Sequence, residues 1–167
     1  MTTRKLNYES RLNKQIAALF NESEMNYFKV KFKSPLTYND FLSNKMLMIS
    51  AIRKGIPYSL FDLIKEWAPF TENDWIEFLD ISSKSMQRYK AASAHHFKPV
   101  HSEKIIEMAE VTKTGLEVFG NMEKLRLWLN TPNYALGKLK PLELLKDSYG
   151  KELVISELIR IQHGILV

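Results

Sequence analysis

TENDWIEFLDISSKSMQRYK, from Thr71 to Lys90, sets two helix signals around one break. Thr71 opens a capping box in which its hydroxyl can hold a backbone amide that the first helical turn leaves unpaired, with Asp74 in the place usually taken by Glu. A helix is expected from here, with Trp75, Ile76 and Leu79 facing inward. After about two turns it breaks at Leu79-Asp80-Ile81, and a second helix begins at Ser82 or Ser83 with Met86 and Tyr89 inward. Two short helices joined by a tight turn, with apolar residues at Trp75, Leu79, Ile81, Met86 and Tyr89, have the pattern of a helix-turn-helix. Two positions depart from it. Asp80 stands in the turn where glycine is usual, although Asp tolerates left-handed geometry better than most residues, and Ile76 is bulky where alanine is preferred at the helix crossing.

The positions this pattern leaves outside on the second helix are Ser83, Lys84, Gln87 and Arg88. These side chains can bond phosphate oxygens or base edges: Arg to guanine, Gln to adenine, Lys and Ser to either. Charge agrees with periodicity. Residues 1–56 hold ten Lys/Arg against four Asp/Glu, residues 57–120 seven against ten, and residues 121–167 seven against five, which distributes the net charge of +5 as +6, −3 and +2. Inside the acidic middle, Ile81 to Ser102 contains no acid but carries Lys84, Arg88, Lys90 and Lys98 with His95, His96 and His101. A solvated basic face is the plain reading of such a window; its coincidence with the outward face of the second helix favours a surface for nucleic acid. Paired units of this kind read two half-sites one helical turn apart, so operator DNA and a homodimer are the expected partners.

The three histidines do not form a metal site. Adjacent side chains at His95 and His96 point about 100° apart on a helix, whereas zinc sites use spaced ligands. They are read as exposed, weakly basic contributors to the same face. The absence of cysteine excludes disulfides and thiol chemistry. No nucleophile, base and oxyanion constellation is present, so no catalytic residue, cofactor or small-molecule substrate is expected. Apolar residues make up 45% of the 167 positions, enough for a core, yet no run approaches the ~20 residues that span a bilayer. The N-terminus MTTRKLNYESRLNK is polar where a signal peptide would be apolar, so no membrane association and a cytoplasmic location are expected.

Elsewhere the periodicity is helical. A short amphipathic helix is expected at Asn13 to Phe20, with Ile16, Leu19 and Phe20 on one side. FKVKFK then alternates strictly, with Phe28, Val30 and Phe32 opposite Lys29, Lys31 and Lys33, as an N-terminal strand would. Its lysines suit a protected edge; a dimer contact or a phosphate-contacting arm are the other readings. Met46, Ile49 and Ile52, with Met48 nearby, form an apolar stripe closed by Gly55 and Pro57, and Leu60, Phe61, Ile64 and Trp67 form another closed by Pro69. Ile105, Ala109, Leu116 and Phe119 line a longer helix that Ser102 can cap and Gly120 can end. The chain is therefore expected to be mainly all-α: an N-terminal extension over 1–45, dimerising or flexible, a helix-turn-helix bundle over 46–120, and a small helical domain over 121–167.

That last domain opens on WLNTPNYALGKLKPLELL, Trp128 to Leu145. Pro132 and Gly137 interrupt the helix, and Pro141 suits the first turn of a new one because it lacks the amide that would go unpaired there. A final helix is expected from near Gly150, with Val154, Leu158 and Ile161 on one face, ending at Gly164. Ile165, Leu166 and Val167 follow and either tuck into their own core or await a partner.

This C-terminal stretch resembles that of the Xre/MbcA/ParS antitoxins, matching at Trp128, Leu129, Thr131, Pro132, Asn133, Ala135 to Gly137, Pro141 to Leu145, Gly150, Leu158, Arg160, Ile161, His163 and Gly164. The resemblance extends back through IRKGIP at Ile52 to Pro57 and the end of the long helix at Glu117 to Gly120. It leaves residues 1–45 uncovered. It implies an antitoxin of a bacterial type II toxin–antitoxin system, whose partner is an NAD-consuming RES-domain toxin and whose complex represses its own operon. It further implies that this loop and the final helix form the surface over the toxin's active site, with Pro132, Asn133, Leu136, Gly137, Ile165 and Leu166 contacting the toxin, while Ser83 to Arg88 face the operator. Three departures stand out: Lys138 replaces a usual second glycine, Tyr134 fills a variable position, and Tyr89 replaces a common arginine. A free-standing transcriptional regulator with a C-terminal dimerisation domain is the alternative.

Overall fold

The computed structural model describes residues 2–20, 24, 36–92 and 94–164. Ten α-helices and one 3-10 turn run through them, with no sheet among the described residues, so the chain is mainly helical as expected. The helices are α1 (Thr2–Leu19), α2 (Tyr38–Ser43), α3 (Lys45–Lys54), α4 (Tyr58–Trp67), α5 (Glu72–Leu79), α6 (Ser83–Ala91), α7 (Pro99–Phe119), α8 (Met122–Leu129), α9 (Pro141–Leu144) and α10 (Ser148–Gln162). The strand expected at FKVKFK lies outside the described residues. Among those described, no helix is long and apolar enough to cross a membrane. The chain forms two compact units, one of Met1–Trp67 with Gln87–Ile106 and one of Ala68–Met86 with Glu107–Val167.

In the first unit, α1 runs well before Asn13 because Tyr8 and Leu12 extend backward the stripe that Ile16 continues, and all three are buried. The stripe packs on α4. Tyr8 stacks on Trp67 at 4.8 Å, and its hydroxyl donates to the Leu63 carbonyl at 2.6 Å. Burial of that phenol pushes its ionisation far above the ordinary tyrosine range. Leu60, Phe61 and Ile64 of α4 are buried as their spacing implies.

In α3, by contrast, the expected stripe is on the wrong side. Leu47, Met48 and Ala51 are buried, while Met46 and Ile49 are 48% and 38% exposed. Six of the seven residues from Met46 to Ile52 are apolar, so two stripes offset by one residue were both available, and packing chose between them.

The segment after α6 is stitched to the segment before α4. Tyr58 N–H donates to the His95 carbonyl and Phe97 N–H to the Ile56 carbonyl, each at 2.9 Å. Helix α7 begins at Pro99, a residue suited to a first helical position, so Ser102 does not cap it as expected. Ser102 lies one turn inside, fully buried, where its hydroxyl accepts from Ile56 N–H at 2.9 Å and donates to the Phe97 carbonyl at 3.2 Å.

In the second unit, Gly120 closes α7 at φ 65°, and the Asn121 side chain caps α8 by accepting from the Glu123 and Lys124 amides. Helix α10 starts two residues before Gly150, because Asp147 caps it by accepting from Gly150 N–H at 2.8 Å. Val154 and Leu158 are fully buried beneath α10, and Lys151 pairs with Glu110 of α7 at 2.6 Å. Gly150 is pressed against α9, where any Cβ would overlap the Leu144 carbonyl.

Between α8 and α9 the chain makes a 3-10 turn, Tyr134–Leu136, and then two consecutive left-handed residues, Gly137 at φ 68° and Lys138 at φ 64°. A side chain at the second is disfavoured by contact between its Cβ and the backbone. Lys138→Gly is expected to raise unfolding stability by about 0.5–1 kcal/mol, the relief of strain being partly offset by a more flexible unfolded chain. Gly150→Ala is expected to lower it by ~1–3 kcal/mol through backbone overlap. Urea unfolding followed by circular dichroism checks both; a destabilised Lys138→Gly protein would contradict the strain assigned to this turn.

Candidate functional site

The helix-turn-helix is built as its sequence implies. Thr71 Oγ accepts from Asp74 N–H at 3.2 Å, and the Asp74 carboxylate accepts in return from Thr71 N–H at 2.7 Å, which completes the capping box at the start of α5. Trp75 and Leu79 are buried, as is Phe78, which the sequence reading passed over; Ile76 is half-buried. Trp75 and Phe78 each meet Phe70 edge to face, at 5.7 and 5.2 Å. Asp80 then takes the left-handed conformation, φ 48° and ψ 51°, and its amide closes the helix on Glu77 and Ile76. Ser82 restarts the chain by accepting from Ser85 N–H at 3.1 Å.

Of the nine residues of α6, Met86 alone is buried. Ser83, Lys84, Gln87 and Arg88 are all exposed on this one helix, which contains no acid. Lys90, and beyond the helix His96 and Lys98, are exposed as well. Such side chains can reach phosphate and base edges.

His95 requires a correction. It is half-buried and stacks face to face on Tyr89, with ring centroids 3.8 Å apart and planes 8° apart, so it is not part of an exposed basic face. Burial, followed by the nearby His96, His101 and Arg88, holds its pKa below the ordinary histidine value. Its aromatic neighbours explain the error, since a ring flanked by Tyr89 and Phe97 gains more from stacking than from solvent. His96 is exposed, with Nδ1 3.1 Å from the Ala94 carbonyl. No cluster of three metal-binding side chains occurs among the described residues.

The C-terminal loop is folded around Asn133. Its side-chain oxygen accepts from Ala135 N–H at 2.8 Å, its carbonyl accepts from Lys138 N–H at 2.8 Å, and its own N–H donates to the Leu139 carbonyl at 3.0 Å. These bonds make the turn from Asn133 to Leu139 a closed ring of backbone. Pro132 and Gly137 are exposed and Asn133 half-buried.

Leu136, expected at the outer surface, is 8% exposed and anchors the loop from beneath. A 3-10 turn leaves one of its three side chains pointing inward, and here that one is the leucine. Ile165 and Leu166 lie outside the described residues. In place of Leu136 the surface offers Tyr134 and Leu139, at 78% and 47% exposure, and from α10 Tyr149 and Leu153, at 84% and 55%. The sequence reading gave the final helix to this surface without singling out the last pair. Val154 and Leu158 fix the buried face of α10, which leaves Tyr149 and Leu153, four residues apart, on an outer one.

Comparison with known proteins places these two features in one family. Residues 47–110 match the antitoxin Xre-like helix-turn-helix domain, and residues 114–164 match the antitoxin Xre/MbcA/ParS C-terminal toxin-binding domain. A curated relative, Antitoxin Xre of Photorhabdus laumondii subsp. laumondii, is 26% identical over 116 residues, covering 69% of this chain and 78% of the relative. Helix-turn-helix and clasped C-terminal loop thus each fall within a match to antitoxin Xre domains, and the chain belongs to the Xre/MbcA/ParS antitoxin family.

Proposed function

We propose that this antitoxin binds an NAD-consuming RES-domain toxin, covers the toxin's active site with its C-terminal domain, and as a homodimer represses its own operon through α6. One observation carries the toxin half of this reading. Six of the nine large apolar side chains found exposed among the described residues, Leu127, Tyr134, Leu139, Tyr149, Leu153 and Ile159, fall within residues 114–164, where the toxin-binding match lies. Soluble surfaces seldom gather such side chains without a partner to cover them, and tyrosine is favoured at the centre of protein interfaces. The identity of the toxin as a RES-domain NAD consumer rests on the resemblance of the Trp128 to Leu145 motif.

Toxin capture therefore falls to Tyr134 and Leu139 on the loop and to Tyr149 and Leu153 on α10, together with the exposed backbone around Pro132, Asn133 and Gly137. Leu136 serves this surface by holding the loop in shape. A Leu136→Asp protein would lose the loop itself and report nothing specific about contact. Tyr149→Asp with Leu153→Asp is expected to leave the circular dichroism spectrum unchanged and to abolish rescue when the cognate toxin is co-expressed, with cellular NAD falling as it does without antitoxin. Full rescue by this double variant would move the interface elsewhere, and growth arrest by the toxin with NAD undiminished would remove the RES assignment.

The DNA half rests on the acid-free outer surface of α6. Arg88→Ala and Lys84→Ala are each expected to weaken operator binding by ~1–3 kcal/mol and to flatten its dependence on salt concentration. Gel shifts over a salt series measure both effects. Curves that superimpose on those of the unmodified protein would exclude α6 as the reading helix.

A further inference from the structure

Arg88 can contribute to recognition only if its long side chain is aimed, and the structure shows what lies under it. The guanidinium carbon sits 5.4 Å from the centre of the Tyr89 ring. That ring is stacked on the imidazole of His95 at 3.8 Å. His95 meets the buried Phe97 edge to face at 4.9 Å. Its backbone is fixed at both ends, the N–H donating to the Ala92 carbonyl and the carbonyl accepting from Tyr58 N–H, each at 2.9 Å. An imidazole held in this way is a fixed wall for Tyr89.

We propose that His95 is a positioning residue for DNA binding: its ring, stacked on Tyr89 and wedged against Phe97, holds the tyrosine in place beneath Arg88 and thereby sets the direction of the guanidinium. The inference rests on the reading of α6 as the operator-binding helix. It also gives Tyr89, which stands where the family commonly has arginine, a part to play: it supports the neighbouring arginine instead of supplying another.

The arrangement works with a neutral imidazole. His95 Nε2 is buried and has no hydrogen-bond partner, so a protonated ring would bury a charged N–H with nothing to accept it. The ionisable groups facing His95 are Arg88 and Tyr89 of α6, His101 of α7, Tyr58 at the start of α4, and His96 beside it. None of them is a carboxylate, so none favours a cation at His95. A protonated His95 would also place positive charge against the tyrosine ring that Arg88 already uses.

The sign follows from the lowered pKa. Above the unfolded value of 6.5 the ring is neutral in both folded and unfolded states, and the stack is at full strength. As pH falls from there to the lower folded value, the unfolded chain takes up its proton first, and the stack progressively loses its advantage.

The experiment is a gel shift on a labelled duplex from the promoter upstream of this gene, at about pH 7.5 and about pH 6, bracketing the histidine range. His95→Ala removes the wall and is expected to weaken binding about ten-fold at both values. His95→Phe keeps a flat ring that cannot take a proton; it is expected to bind like the unmodified protein at the higher pH. On acidification its urea-unfolding midpoint should fall less than that of the unmodified protein, whose unfolded chain takes up the His95 proton first. Equal binding by His95→Ala, or binding by His95→Phe as weak as that of His95→Ala, overturns the proposal. Should His95→Ala fail to fold, His95→Leu, which keeps bulk but no flat ring to stack on Tyr89, takes its place, and unchanged binding by it overturns the proposal. No shift by the unmodified protein removes the operator reading and this inference together, whereas binding that Arg88→Ala abolishes and the His95 variants leave intact overturns the positioning role only.

Discussion

A helix that buries a single side chain cannot hold its own position by packing. Met86 is that side chain in α6, and full burial of a methionine contributes only about 1.5–3 kcal/mol, little against the entropy of ordering nine residues. The helix must be fixed from its ends. Before it, the left-handed Asp80 and the Ser82 cap set where it starts. After it, the stack of Tyr89 on His95 joins its last turn to a segment that is itself bonded to Ile56 and Tyr58. Those constraints leave the outer side of α6 free of any structural duty, and so free to be polar, cationic and exposed.

The same logic explains which parts of the protein could be read from its sequence. Signals that act over a few residues were legible: the Thr71 and Asp74 capping box, the left-handed tolerance of Asp80, the helix stop at Gly120 and the helix start at Pro141. Each is a local exchange of backbone hydrogen bonds and needs no partner from far along the chain. The face of α3 was not legible, because Met46 and Leu47 are equally apolar and only distant packing prefers the second. Ser102 was misread for a related reason. A serine near a helix start is a good cap by local rules, but here its hydroxyl serves Ile56, 46 residues earlier in the chain.

For the candidate site the division is similar. The exposed quartet on α6 follows from periodicity alone. The loop residues followed from motif resemblance, which marks positions without saying how each one serves: Leu136 belongs to the pattern because it shapes the loop from within, whereas Tyr134, at a variable position, is the one presented. Position 138 shows the converse. The left-handed backbone there explains why glycine is usual, and the lysine found instead adopts it, held by the hydrogen bond that its N–H donates to the Asn133 carbonyl.

The helix α1 has a practical consequence. Ile16 has no exposure at all, and Tyr8 is bound to α4 both through its ring and through its hydroxyl. Cutting the chain before α3 would strip this cover from Leu63 and Trp67 and leave a greasy strip on whatever remained. A shortened protein carrying every recognisable sequence motif would thus be prone to clump in solution, because the smallest piece that looks like the family is smaller than the smallest piece that can keep its own interior dry.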